Sequence, residues 1–158
     1  MISKIVSGGQ TGVDRAALDV ALALGLLCGG WVPRGRRAED GRLPARYPMR
    51  EAASAGYPQR TRLNVRDSDA TLILTRGEPA GGTAFTIACA ERAGRACMVV
   101  DLAAADLDRT AAAAVREWLR DHEVRVLNVA GPRESSAPRI ASQVAAFLHA
   151  VLAGDRAP

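Results

Sequence analysis

Five short runs of apolar, strand-forming residues recur along the chain, and helix-length segments separate most of them. The clearest is Ala70–Thr75, ATLILT. It is six residues long and has no alternation, as expected of a strand buried on both faces in a parallel sheet. Around it lie Ile2–Ser7, a weaker Leu26–Val32, Ala96–Asp101 (ACMVVD) and Val124–Val129 (VRVLNV). Helical patterns fall at Thr11–Leu24, Gly82–Ala93, Asp108–His122 and Pro138–Ala153. Pro138 takes the first-turn position that helices favour, and Trp118 and Leu119 lie on the apolar side of their helix. Alternating β and α segments predict an α/β protein: a three-layer Rossmann-like fold around a mainly parallel sheet of five strands or slightly more. The segment 33–60 is rich in Pro, Gly and Arg and lacks a period. It reads as a long functional loop with a short helix at Met49–Ala55, followed by another at Thr61–Ser68.

The 158 residues suit one domain, placed at 1–154, with a frayed tail at 155–158. Neither internal repeat nor linker is visible. No apolar run reaches the roughly 20 residues of a membrane span, and nothing resembles a targeting segment, so a cytoplasmic protein without membrane contact is expected. Aromatics are only 4%, too few for a stacking surface, so nucleic acid is not an expected partner. The three cysteines, Cys28, Cys89 and Cys97, are odd in number and have no CxxC spacing. They read as buried reduced thiols, and no metal site is expected.

Open parallel sheets bind ligands at the carboxyl ends of their strands. Four glycine-bearing loops follow strands here. The first, Ser7-Gly8-Gly9-Gln10-Thr11-Gly12-Val13-Asp14, nearly fits a dinucleotide fingerprint, with Ser7 at the first glycine position. The acidic ribose ligand expected about 20 residues later is absent; Trp31 and Arg34 stand there instead. Backbone N–H groups of Gly8, Gly9, Gln10, Thr11 and Gly12 would hold one phosphate, so Gly9→Val is expected to remove binding and spare the fold. Gly81, Gly82 and Thr83, before the helix at 82–93, would line the facing wall. Arg34, Arg36 and Arg37 would close over the anion as bidentate donors. Asn128, Arg133 and Ser135 would border the same cleft. Asp14 either complements the helix dipole or holds a hydroxyl or cation beside phosphate. Arg15 is expected to pair with Asp19. Asp67 and Asp69 either cap a turn or face the site.

Charge is uneven. The whole chain is +4, but residues 34–66 hold nine Arg against three acidic residues, a net +6, leaving −2 elsewhere. With twenty Arg and one Lys, planar phosphate contacts are favoured. No acid–base or nucleophile pair has convincing spacing, so no catalytic residue is assigned.

Several long blocks in order, SGGQTGVDRAALDVA, GGWVPRGRRAEDGRLPARYP, RTRLNVRDSDATLIL, GGTAFT and VLNVAGPRES, resemble the molybdenum (molybdenum-cofactor) carrier family. That Rossmann-like family is related to the Lonely Guy/lysine-decarboxylase-like nucleotide-binding group. The resemblance spans residues 2 to about 152. It implies glycine loops that cradle phosphate, a homo-oligomer (dimer or tetramer), and a ligand that is molybdenum cofactor (molybdopterin, a pterin dithiolene carrying phosphate) or a nucleotide. The family commonly has Cys after the Trp of the second block, where Val32 stands here. The related hydrolases carry PGGxGTxxE, whose Glu assists N-glycosidic cleavage; here Thr86 occupies the Glu position, and a hydroxyl cannot replace that carboxylate. Arg60 or Arg62 would correspond to that group's arginine before the central strand. The expectation is a non-catalytic binder or carrier. The alternative is an N-glycosidase or phosphohydrolase using Asp14, Asp67, Asp69 or Glu134.

Overall fold

The computed structural model describes residues 1–104 and 109–153. The expected tail and Asp108 lie outside them. A five-stranded parallel sheet forms from β1 (Lys4–Val6), β2 (Leu27–Gly29), β7 (Ala70–Thr75), β8 (Ala96–Asp101) and β9 (Val126–Ala130). Between β2 and β7 lie four two-residue strands, β3 (Trp31–Val32), β4 (Arg37–Ala38), β5 (Gly41–Arg42) and β6 (Arg50–Glu51). The helices are α1 (Val13–Ala23), α2 (Tyr57–Arg66), α3 (Gly81–Arg92), α4 (Arg109–Asp121) and α5 (Ile140–Ala153). All six β7 residues are buried, as the unbroken apolar run requires. The architecture is thus the α/β, Rossmann-like one expected.

The strand order is β2-β1-β9-β7-β8. Numbered from β9, that order becomes 3-2-1-4-5, the arrangement of a doubly wound sheet. The last strand of the chain therefore occupies the central place that the first strand usually holds. Helices α1 and α4 both pack on α5, while α2 and α3 pack together. Right-handed crossovers put the two groups on opposite faces. Ile5, Val13, Leu72, Leu74, Leu127, Ile140 and Leu148 form the main core between sheet and helices.

Four expectations about elements need correction. No helix forms over Met49–Ala55. The N–H groups of Arg50 and Ala52 donate to the carbonyls of Gly30 and Val32, making β6 a parallel partner of β3. The Leu26–Val32 strand breaks at Gly30 (φ 132°), where a Cβ would lie 2.4 Å from the Ser7 carbonyl oxygen. The C-terminal helix begins at Ile140 rather than Pro138, because Arg139 adopts φ 67° and cannot extend it backwards. The helix expected at Thr61 starts earlier, at Tyr57, with Pro58 in its first turn.

Residues 33–56 form an ordered arm built around one side chain. The Arg36 guanidinium donates to the carbonyls of Leu43 (3.1 Å), Pro44 (2.9 Å), Tyr47 (2.8 Å) and Met49 (3.4 Å). Leu43 and Tyr47 then pack with Val32 and Leu18 as a second small core. Asp19 does not pair with Arg15. It accepts from the Tyr47 hydroxyl at 2.7 Å and from Arg46 at 3.2 Å. Burial, with that bond, pushes the Tyr47 hydroxyl up to about 12. Arg15 pairs with Asp40 of the arm at 2.7 Å. Of the cysteines, Cys89 is buried and Cys28 and Cys97 are half-buried free thiols, all three pushed up by burial.

Candidate functional site

Right-handed β–α–β units bring the loops after β1, β7 and β9 to one edge of the sheet, with the N-termini of α1, α3 and α5. Helix α2 precedes β7 and runs back along the sheet, so its N-terminus reaches the same edge. These four termini differ sharply.

The first loop is filled by the protein itself. A Cβ on Gly8 would fall 1.8 Å from the Arg60 guanidinium. One on Gly9 (φ 76°) would meet Leu43 and Val32 at 2.9 Å, and one on Gly12 (φ 77°) would meet the Pro132 carbonyl oxygen at 2.5 Å. Gly9→Val would therefore disturb the packing of the arm, contrary to the expectation that it spares the fold. Three of the loop's donors are also engaged. The Gln10 N–H donates to Asp14 Oδ2, the Thr11 N–H to Gln10 Oε1 and the Val13 N–H to the Pro132 carbonyl. The start of α1 is thus closed by the loop after β9.

The start of α5 is closed too. Glu134 accepts from the N–H groups of Arg139 and Ala141, so a carboxylate of the chain already sits where an anion would bind. At α3 there is no such plug. Its N-cap, Ala80, offers no side-chain cap. A Cβ on Gly77, Gly81 or Gly82 would meet nothing within 4 Å. The Thr83 N–H donates to the Ala80 carbonyl at 3.1 Å, and the N–H groups of a helix's first turn have no partner one turn back. Thr83 is buried beside them. Thr86 donates to the Gly82 carbonyl at 2.9 Å, and it supplies no carboxylate.

The remaining expected residues divide. Arg37 lies over the Tyr57 ring at 4.9 Å, joined by Arg60 at 5.5 Å and Arg133 at 5.7 Å. Arg60 also faces the buried Asp14 at 3.6 Å. Burial pushes the Asp14 carboxyl up, against the opposing pull of Arg60. Ser135 donates through its N–H and hydroxyl to Glu39 of the arm, as Thr11 does through its hydroxyl. Burial opposes ionisation of Glu39, but these bonds together outweigh it and hold the carboxyl below its usual range. Arg34 is exposed. Arg36 is committed to the arm's carbonyls and faces no cleft. Asn128 is buried within the sheet and donates to Thr71. The Trp31 indole reaches away to Asp67, at the far end of α2, at 2.8 Å. Asp69 accepts from the N–H groups of Arg125 and Val126 at the opposite sheet edge. Neither Asp67 nor Asp69 joins the loops.

Sequence reasoning missed Tyr57 and Glu39. A Tyr-Pro helix start inside the most basic segment, and an acidic pair (Glu39, Asp40) amid its arginines, were the available signals. Among the described residues, no group of His, Cys, Asp and Glu side chains could hold a metal ion, and no helix is long and apolar enough to cross a membrane.

The strand order and the closed first loop now meet independent likenesses. No curated protein matches the chain. A crystal structure titled "Putative molybdenum carrier protein", from Syntrophus aciditrophicus SB, is 44% identical. It superposes with a TM-score of 0.93, covering 96% of this chain and 95% of that one. Residues 5–152 match the circularly permutated YpsA SLOG family. The chain belongs to that family.

Proposed function

We propose that the protein is a non-catalytic binder or carrier of a phosphorylated small molecule, held at the edge where β7 and β9 end. The observation that carries this reading is the open α3 N-terminus. Of the N-termini of α1, α3 and α5, it alone presents glycines to free space and lacks a plug from the chain. Backbone N–H groups of Gly81 and Gly82 would hold the anion, with the Thr83 hydroxyl beside them. Arg37 and Arg133 would supply further charge, and Arg34 would close from the arm. Gly8, Gly9, Gly12 and Asp14 would serve by shaping the wall.

The ligand class is molybdenum cofactor or a nucleotide. The relative's name supports the first. The site suits the phosphate of such a ligand rather than its metal. Val32 is buried, and Cys28, Cys89 and Cys97 sit within strands and a helix away from the loops, so none supplies a thiolate there. The homo-oligomer belongs to the same proposal and is read by light scattering.

One observation favours turnover as a second reading: Asp14 is a buried carboxyl pushed up beside an arginine, a combination common at catalytic sites. The test covers both readings. Thermal stability is followed with molybdenum cofactor and a nucleotide panel, and base or phosphate release is assayed alongside. A carrier gives a stabilising shift without release. Silence across the panel contradicts binding, and release abolished by Asp14→Asn establishes the enzyme instead.

A further inference from the structure

Three guanidiniums from three separate parts of the chain converge on one ring. Arg37 comes from the arm, Arg60 from α2 and Arg133 from the loop after β9, and each lies within 6 Å of the Tyr57 centroid. Several arginines elsewhere are engaged: Arg15 with Asp40, Arg36 with four carbonyls, Arg66 with Asp67, Arg76 with Pro138 and Gln143. Among the described residues, none of the three around Tyr57 donates a hydrogen bond. Asp14 stands 3.6 Å from Arg60, and Glu39 stands 3.9 Å from Arg133. Those are separations for charge attraction, beyond hydrogen-bond reach. Arg37 has no acidic partner at all among the described residues. The Arg60 Nε is buried and without a partner, although each guanidinium has five donors to satisfy.

Like charges held this close repel one another, and a donor removed from water without a partner, as the Arg60 Nε is, destabilises the fold. Both costs are relieved by a multiply charged anion. With guanidiniums over its ring, Tyr57 is not available to stack a base. It acts instead as a positioning residue, fixing three flexible side chains by cation–π contact before any ligand arrives.

We infer that Arg37, Arg60 and Arg133, held by Tyr57, form a phosphate subsite, so that the ligand carries its terminal phosphate to this cluster. The inference rests on the proposed reading that a phosphorylated ligand occupies this edge. The same chemistry fits two sources, a ligand's phosphomonoester or free inorganic phosphate.

Calorimetric titration of the full chain with inorganic phosphate, AMP and adenosine tests it. Inorganic phosphate binds the wild-type protein. The exposed substitutions Arg37→Gln and Arg133→Gln each weaken it roughly tenfold or more, the scale of a lost charge-assisted hydrogen bond. Arg92→Gln, at the other end of α3, leaves it unchanged. Tyr57→Ala weakens phosphate binding and Tyr57→Phe restores it, which a hydroxyl-dependent role would not allow. AMP binding more tightly than phosphate, with adenosine silent, assigns the subsite to a phosphomonoester; equal affinities assign it to the free anion. Phosphate binding unchanged in the Arg37→Gln/Arg133→Gln double variant overturns the inference, as does failure of phosphate to bind the wild-type protein. The broader reading falls only if molybdenum cofactor and the nucleotide panel also leave thermal stability unmoved, so the two failures are distinguishable.

Discussion

Two glycine loops of this protein look alike on paper and differ in space. Gly8, Gly9 and Gly12 are buried, and Gly81 and Gly82 are exposed. In the first loop each missing Cβ makes room for another part of the chain: Arg60, the Leu43–Val32 contact, and the backbone at Pro132. In the second the missing Cβ atoms leave space that nothing fills. A near-fingerprint of glycines therefore marks close approach, without saying whether protein or ligand approaches. The circular order of the strands supplies the reason for the first case. With β9 at the centre of the sheet, its loop lies beside the loop after β1, and the Pro132 carbonyl takes the Val13 N–H at 3.2 Å.

The largest expected effect is on the closed loop. Gly12→Val adds a β-branched side chain at φ 77° against backbone 2.5 Å away. Strain and overpacking together should lower stability by about 3 kcal/mol or more, read by urea unfolding. A variant as stable as wild type would break the comparison. Next comes the arm that covers Gly9. Arg36→Ala removes the donor that ties four carbonyls together, and a loss of about 2 kcal/mol is expected from acceptors, three of them half-buried, left unpaired. Proteolysis should then cut residues 33–56 faster.

At the open loop the sign reverses. Gly82→Ala meets nothing and lies within α3, so it should raise stability by roughly 0.5–1 kcal/mol. The same change should weaken phosphorylated ligands, because a methyl group enters the space they need. Stability and affinity moving in opposite directions would sharpen the contrast, and unchanged affinity would move the ligand elsewhere.

The smallest effect concerns Glu39, which ties the arm to Thr11 and Ser135. Its carboxyl lies below the usual 4.5 in the folded protein, so the ionised form is the one folding favours. Its contribution is complete above the unfolded value and fades as pH falls through the folded one. Measured against Glu39→Gln, the stability difference should therefore shrink as the solution is acidified below about pH 4.5. A gap that widens on acidification would contradict the bonds described.

The five main strands could be read from the sequence because each is a short, mostly apolar run, the unbroken and fully buried Ala70–Thr75 most of all. Ala70–Thr75 and Ala96–Asp101 were bounded to the residue. Strand order was hidden, because pairing depends on crossovers rather than on local pattern. The arm was hidden for a different reason: it is held by a single guanidinium on four carbonyls and by two-residue pairings such as Arg50–Glu51 with Trp31–Val32. Such contacts leave no period. Of the candidate site, Gly81 and Gly82 lie at the open start of α3, and Arg37 and Arg133 gather on Tyr57. The polar atoms of Trp31 and Asn128 are held by Asp67 and Thr71, contacts that no local pattern announces. Tyr57 escaped notice because its role lies in what gathers around it.

Amide and arginine side-chain NMR, followed while AMP is titrated into the full chain, tests the central claim most directly. The account predicts the largest shifts at the Gly81, Gly82 and Thr83 amides and at the guanidiniums of Arg37, Arg60 and Arg133, with the Gln10, Thr11 and Val13 amides nearly still. The largest shifts at Gln10, Thr11 and Val13, with Gly81 and Gly82 unmoved, would contradict it.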